Sequence, residues 1–404
     1  MESLPEDNEL RKPLDSEETG HAGECSALES GGGALAEVPS NLPVRVLAGD
    51  ALARQGLSEL AKQPARVESL EPGPWPLHGH CVVSDEAHER VLLLGGWSND
   101  RIWSFEFTWT IGPLRRWHNK LAPRRFRRRF RPDSIGHPAV VLDAQRHRLI
   151  WFGGWPPGDD RPVDELYVLD LTRPEHLQWD FVEHQHPWPL PRYGASLVLD
   201  SKRDRCLLFG GNAGPGKSFR PLCDLWTRDL GTLTWTRVKD RFWKPRPAAR
   251  WLHAAAVDMA GDRMVLFGGS KRSLSQDPAF HLLDLASLRW KEVRVSGDGP
   301  PPVEGHAMVY VPELNAVFVY GGLLLEGRGP SSLPYLWRCD LSTWQGSRVE
   351  LPAAGQPRGR FCHAACYCRH RRALFCVGGK WNRTVGNYYE TLGELSDTFM
   401  IHLA

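Results

Sequence analysis

Arg263-Met264-Val265-Leu266-Phe267-Gly268-Gly269 is the stretch that decides how this chain folds. An apolar run of strand length ends abruptly in a glycine pair. Upstream lies Arg250-Trp251-Leu252-His253-Ala254-Ala255-Ala256-Val257-Asp258, separated from it by the turn Met259-Ala260-Gly261-Asp262. Downstream come Phe280-His281-Leu282-Leu283-Asp284-Leu285 and, after a short turn, Leu288-Arg289-Trp290-Lys291-Glu292-Val293. Runs of this length bounded by turn residues predict an antiparallel meander of short strands.

The same ending recurs along the chain. Glycine pairs stand at 95–96, 153–154, 210–211, 268–269, 321–322 and 378–379, at steps of 58, 57, 58, 53 and 57 residues. A period of this size is the signature of a repeat architecture. Other positions recur with the pairs. Before the first strand stand His80, His137, His253, His306 and His363, with Ala195 in the third unit. The third strand carries an aromatic residue in most units (Trp103, Tyr167, Trp226, Trp337), and the fourth a tryptophan (Trp117, Trp179, Trp235, Trp290, Trp344). Large rings at a repeated position suit the wedge between neighbouring sheets.

At these residues the chain resembles the kelch-repeat family of β-propellers, over roughly residues 64–404. The resemblance implies an all-β fold, a six-bladed kelch-type β-propeller of four-stranded blades around a central channel. The last unit stops after its third strand at 397–404, whereas Ala65-Arg66-Val67-Glu68-Ser69-Leu70 precedes the first unit as an unassigned strand. That N-terminal strand is expected to close the last blade and cover two sheet edges.

Residues 1–60 carry a net charge of −8 and the remainder +10. Residues 1–47 read as a disordered acidic tail, too poor in apolar residues to offset the entropy of ordering. Residues 48–63 read as a short helix or linker, weakened by Gly49 and Gly56. Nine scattered cysteines without a CxxC pair, and an N-terminus with no apolar core, point to a reducing intracellular compartment, cytoplasmic or nuclear. No apolar stretch approaches a bilayer's thickness, so no membrane partner is expected.

The loops after each glycine pair and those between units leave on one face, and they are long, basic and aromatic. Long loops on a rigid scaffold are where binding concentrates. Arg192-Tyr193, Arg250-Trp251 and Arg360-Phe361 fall at equivalent points before the first strand. Arg192, Arg250 and Arg360 are expected to ring the channel mouth and take a carboxylate or phosphate in a two-pronged grip, or else to tie blades together. Tyr193, Trp251, Trp155 and Trp381 are the aromatic candidates beside them. The segment 115–131 holds nine Lys or Arg, among them Arg124, Arg125, Arg127 and Arg128, with Phe126 and Phe130 interleaved. It suits an acidic protein, or RNA through charge and stacking.

The motifs that resemble chemistry do not add up to a catalytic, cofactor or metal site. Gly211-Asn212-Ala213-Gly214-Pro215-Gly216-Lys217-Ser218 matches the phosphate-binding loop pattern, but Pro221 follows too soon for the helix such a loop needs. Cys362 and Cys366 are too far apart on a regular strand to share one tetrahedral zinc. Asp277-x3-His281 matches the last half of the iron-binding run of the specifier proteins within the kelch family, with Ser273 where its glutamate belongs. The expected function is therefore a non-catalytic scaffold capturing an acidic or phosphorylated protein segment. The alternatives are polyanion binding through 115–131, a ubiquitin-ligase substrate adaptor, or an enzyme sited in the channel.

Overall fold

In the computed structural model the described residues are 65–403, apart from 74–75, 98–101, 107–116, 121–134, 157, 173–177, 216–217, 240–244, 274–275, 326–329 and 386–387. The acidic tail and the short helix expected at 48–63 lie outside them. Among the described residues, five sheets of four strands and one of five repeat an antiparallel meander, interrupted in the fifth by the hairpin Leu323–Leu324/Ser331–Ser332 and in the last by the hairpin Lys380–Val385/Tyr388–Glu394. The fourth is the unit quoted above: Ala254–Asp258, Arg263–Phe267, Phe280–Asp284 and Trp290–Val293. The fifth sheet gains its extra strand from Ser296–Gly297, which pairs parallel with Gln345–Val349.

The first strands of the six sheets are His78–Asp85, Ala139–Asp143, Ser196–Asp200, Ala254–Asp258, Ala307–Val311 and Ala364–Cys368. They touch one another in sequence order, and the last touches the first, so the propeller is a closed ring. The last sheet takes its outer strand from the beginning of the described chain. Arg66–Ser69 pairs antiparallel with Thr398–His402, Val67 opposite Ile401.

Each glycine pair works at the junction between sheets. All twelve of its residues adopt positive φ, a conformation that only glycine enters freely. The second glycine of every pair donates its N–H to a carbonyl leading into the next sheet: Gly96 to Ile135, Gly154 to Arg192, Gly211 to Arg250, Gly269 to Val303 and Gly322 to Arg360. Gly379 completes the circuit by donating to Leu77 at 2.7 Å. A Cβ on the first glycine would collide with those same carbonyls, for instance 2.7 Å from the Arg360 oxygen at Gly321. The repeat in the sequence is thus the imprint of a contact between blades.

A second circuit lies around the channel. Gly79, His137, Gly194, Leu252, Gly305 and Cys362 all have φ between 52° and 67°. Each donates its backbone N–H to the carbonyl of the equivalent residue one sheet away, at 2.6–2.9 Å, and the six bonds form a closed loop. This corrects the sequence register. His137 belongs to this strained position, and Pro138 is the true counterpart of His80, Ala195, His253, His306 and His363.

Those four remaining histidines are interior struts. The Cε1 of His253 would lie 2.9 Å from a Cβ on Gly210, and that of His363 2.8 Å from one on Gly321. Phe209–His253, Phe267–His306 and Tyr320–His363 meet edge to face at 5.3–5.5 Å. Burial holds His80 down at about 4 and His253 and His306 at about 3, so all three are neutral imidazoles. The fourth-strand tryptophans do fill the wedges: Trp235 packs on Phe152 of the preceding sheet and Trp290 on Phe209, at 5.3 and 5.1 Å.

Candidate partner-binding surface

The three arginines expected at the channel mouth are fully buried, at 0–1% exposure. They share one hydrogen-bond pattern. Nε donates to the carbonyl two residues back (Leu190, Ala248, Arg358) at 3.0–3.1 Å. Nη1 donates to the first glycine of the following pair (Gly210, Gly268, Gly378) at 2.9–3.0 Å. A carboxylate receives the rest: Asp224 at 2.7 and 2.9 Å from Arg192, Asp277 at 3.0 Å from Arg250, Asp397 at 2.7 and 2.5 Å from Arg360. Burial would raise the Asp224 carboxyl, but the hydrogen bonds and charge of Arg192 outweigh it and hold it below its ordinary range. Guanidiniums so enclosed present no donor to a partner. The reading of Arg192, Arg250 and Arg360 as a partner-facing ring is corrected: they are internal ties between blades.

The other three sheets confirm the logic, because Leu77, Ile135 and Val303 occupy the same position and are equally buried. The signal in the sequence was the acid. Asp224, Asp277 and Asp397 each stand just before the third strand of a unit that carries the arginine. Asp277 and His281, the half-motif that resembles an iron site, are part of this tie: His281 Nε2 lies 3.2 Å from Arg250 Nη2 and 3.3 Å from Asp277 Oδ2.

The aromatic candidates divide. Trp155 and Tyr193 come together, edge to face at 4.8 Å, and the Tyr193 hydroxyl accepts from Asn212 Nδ2 at 2.9 Å. Trp381 stands apart, with the Arg358 guanidinium 4.1 Å above its ring. Trp251 is buried and carries Phe219 stacked on it, centroids 5.0 Å apart and planes 14° from parallel. Arg124, Arg125, Arg127 and Arg128 lie outside the described residues.

Phe219 marks a groove that periodicity could not reveal. A cavity of about 850 Å³ is bordered by residues 214–215, 218–221 and 271–273 together with Ala248 and Ala249. Arg220, Lys271 and Arg272 line it, and among the described residues no carboxylate does. Lys271 leans toward Asp277 at 3.7 Å, whereas Arg220 and Arg272 are exposed and make no ion pair among the described residues. Phe219, 39% exposed, is one of two large apolar side chains left in water among the described residues. Its loop is held open from within. Asn212 Oδ1 accepts from the backbone N–H of Gly214 at 3.0 Å and of Arg220 at 2.7 Å, and Ala213 N–H donates to the Arg220 carbonyl at 3.0 Å. This is the segment that matches the phosphate-loop pattern. Asn212 occupies its amides, Pro221 bridges back to Asn212, and a strand follows at Leu225–Asp229 in place of a helix.

The central channel is narrow. A cavity of about 120 Å³ is lined by Gly79, Pro138, Ala195 and the buried histidines. Among the described residues no cluster of three or more His, Cys, Asp or Glu side chains is placed to hold a metal ion. Among them, too, no helix is long and apolar enough to cross a membrane.

A closed ring of repeated antiparallel sheets tied through glycine pairs defines a β-propeller. The model of the KLHDC2/KLHL20/DRC7 Kelch-repeats domain matches residues 136–273 and 241–402, and the chain belongs to the kelch-repeat family. Among curated proteins it is 33% identical to Caenorhabditis elegans Host cell factor homolog hcf-1 over 148 residues, 33% of this chain and 18% of that protein. It is also 33% identical to Arabidopsis thaliana Acyl-CoA-binding domain-containing protein 5 over 189 residues, 46% of this chain and 26% of that protein. The matched parts are thus at most about a quarter of those relatives' lengths. Among solved structures, YjhT superposes with a TM-score of 0.60 at 14% identity, over 81% of this chain and 95% of that one, a likeness of fold.

Proposed function

We propose that this chain is a six-bladed, non-catalytic kelch propeller that captures an acidic or phosphorylated protein segment on its loop-bearing face. The blade count takes the five-stranded sheet as one blade with a short parallel addition. The observation that carries the partner's chemistry is the concentration of Arg220, Lys271 and Arg272 in one groove with no carboxylate among its described lining residues. Exposed guanidiniums with unspent donors favour a carboxylate or phosphate. Eight cysteines among the described residues are unpaired, which favours an intracellular site of action. A second reading rests on the nine basic residues of 115–131, which suit RNA.

Titration of the full chain with a Glu-rich, a phosphorylated and a neutral peptide, and with single-stranded RNA, tests the proposal. Binding of the acidic peptides that weakens with added salt is expected. Equal binding of the neutral peptide, or binding of RNA alone, contradicts it.

A further inference from the structure

The geometry points to a two-part peptide site in the groove between residues 218–221 and 271–273, one that takes an acidic segment through Arg220 and Arg272 and clamps an apolar side chain of that segment on Phe219. This rests on the scaffold reading above and adds to it a place and an anchor. Four observations converge. The groove is large enough for a short extended segment, at about 850 Å³. Among the described residues its titratable lining is wholly basic. Its one exposed ring is already stacked on the buried Trp251, so the face it offers is fixed and little entropy is lost when a partner covers it. Its wall is preorganised by Asn212, and Gly214 packs so closely on Ser218 that any side chain there would displace the loop.

Charge complementarity selects the occupant. Arginine forks grip carboxylates in pairs, and an aromatic platform beside them rewards an apolar neighbour in the same segment. A wholly polar polyanion would use the arginines and leave Phe219 in water. A nucleic acid could stack on Phe219, but among the described residues the groove pairs it with three cations.

The test uses the full chain and a labelled synthetic peptide of Asp and Glu around one central Phe. Its companions are the same peptide with Ser for Phe, a Lys-rich peptide with the same Phe, and an oligonucleotide of matched charge. Fluorescence anisotropy is read for wild type, for Arg220→Glu/Arg272→Glu, for Arg272→Glu alone and for Phe219→Ala, each checked by thermal melting. The acidic Phe peptide should bind wild type, lose about thirtyfold or more in the double variant and about tenfold in Phe219→Ala. Arg272→Glu alone should fall between wild type and the double variant. The Ser peptide should bind wild type weakly and ignore Phe219→Ala. Unchanged acidic-peptide binding in the folded double variant overturns the groove while leaving an acidic partner elsewhere on the face. Equal binding of Ser and Phe peptides overturns the anchor. No acidic-peptide binding, or preference for the oligonucleotide, overturns both this site and the reading beneath it.

Discussion

Arg250 and Arg272 lie 22 residues apart in the chain and do opposite work. Arg250 sits at a repeated position, is wholly enclosed, and spends its guanidinium on two backbone carbonyls, His281 and Asp277. Arg272 sits in a loop whose length varies between units, faces water, and pairs with nothing among the described residues. The contrast extends to the aromatics. Trp235 and Trp290 recur and fill wedges, whereas Phe219 falls outside the register and is exposed. In a repeat protein, a residue that recurs solves a problem every repeat has, which is packing on its neighbour. A binding site is a local departure from the repeat.

The contrast can be broken most severely at the ring closure. Deleting residues 65–70 removes the strand paired with Thr398–His402 and exposes the edge of the last sheet. It should cost a large share of the roughly 5–15 kcal/mol that separates a folded domain from its unfolded state. Urea unfolding checks this, and an unchanged midpoint would contradict the closed ring.

Acid comes next, because it attacks the repeated positions and spares the groove. Burial depresses His80, His253, His306 and, well below its ordinary value, His363. The unfolded chain therefore takes up protons first. The stability these residues contribute is complete above about pH 6.5 and drains away as pH falls toward their folded values. At pH 5 the loss should be about 1–2 kcal/mol per histidine. Asp224, held low by Arg192, adds a further loss below its ordinary range. Melting curves from pH 7.5 to 5 should fall steadily, and a flat profile would contradict neutral interior histidines.

A single buried arginine is a smaller cut. Arg192→Ala strands the largely buried Asp224 carboxylate and two carbonyls, and should cost about 3–5 kcal/mol by urea unfolding. The smallest stability effect belongs to the groove: Arg220→Glu/Arg272→Glu should shift stability by less than about 0.5 kcal/mol, since neither side chain is buried or paired. Thermal melting checks it.

How far the sequence could be read follows from the same division. The glycine pairs were legible because backbone approach at every blade junction demands them at one spacing. The N-terminal clasp was legible because the last unit lacked a strand. The His137 register was misread because two adjacent positions both lead into the first strand: one requires positive φ, and the next carries the strut. The buried arginines were misplaced because their carboxylates lie 27–37 residues away, beyond any local pattern. The groove was invisible because Phe219, Arg220, Lys271 and Arg272 share no period; only folding brings the two loops together.

The most direct measurement of this account sets two variants side by side. Arg192→Lys/Arg250→Lys/Arg360→Lys keeps every charge and loses the forks; Arg220→Glu/Arg272→Glu leaves the core intact. The first should unfold at markedly lower urea while its folded fraction binds the acidic Phe peptide within about twofold of wild type, and the second should unfold like wild type and bind at least about thirtyfold more weakly. A triple lysine variant that is as stable as wild type yet loses the peptide would contradict it.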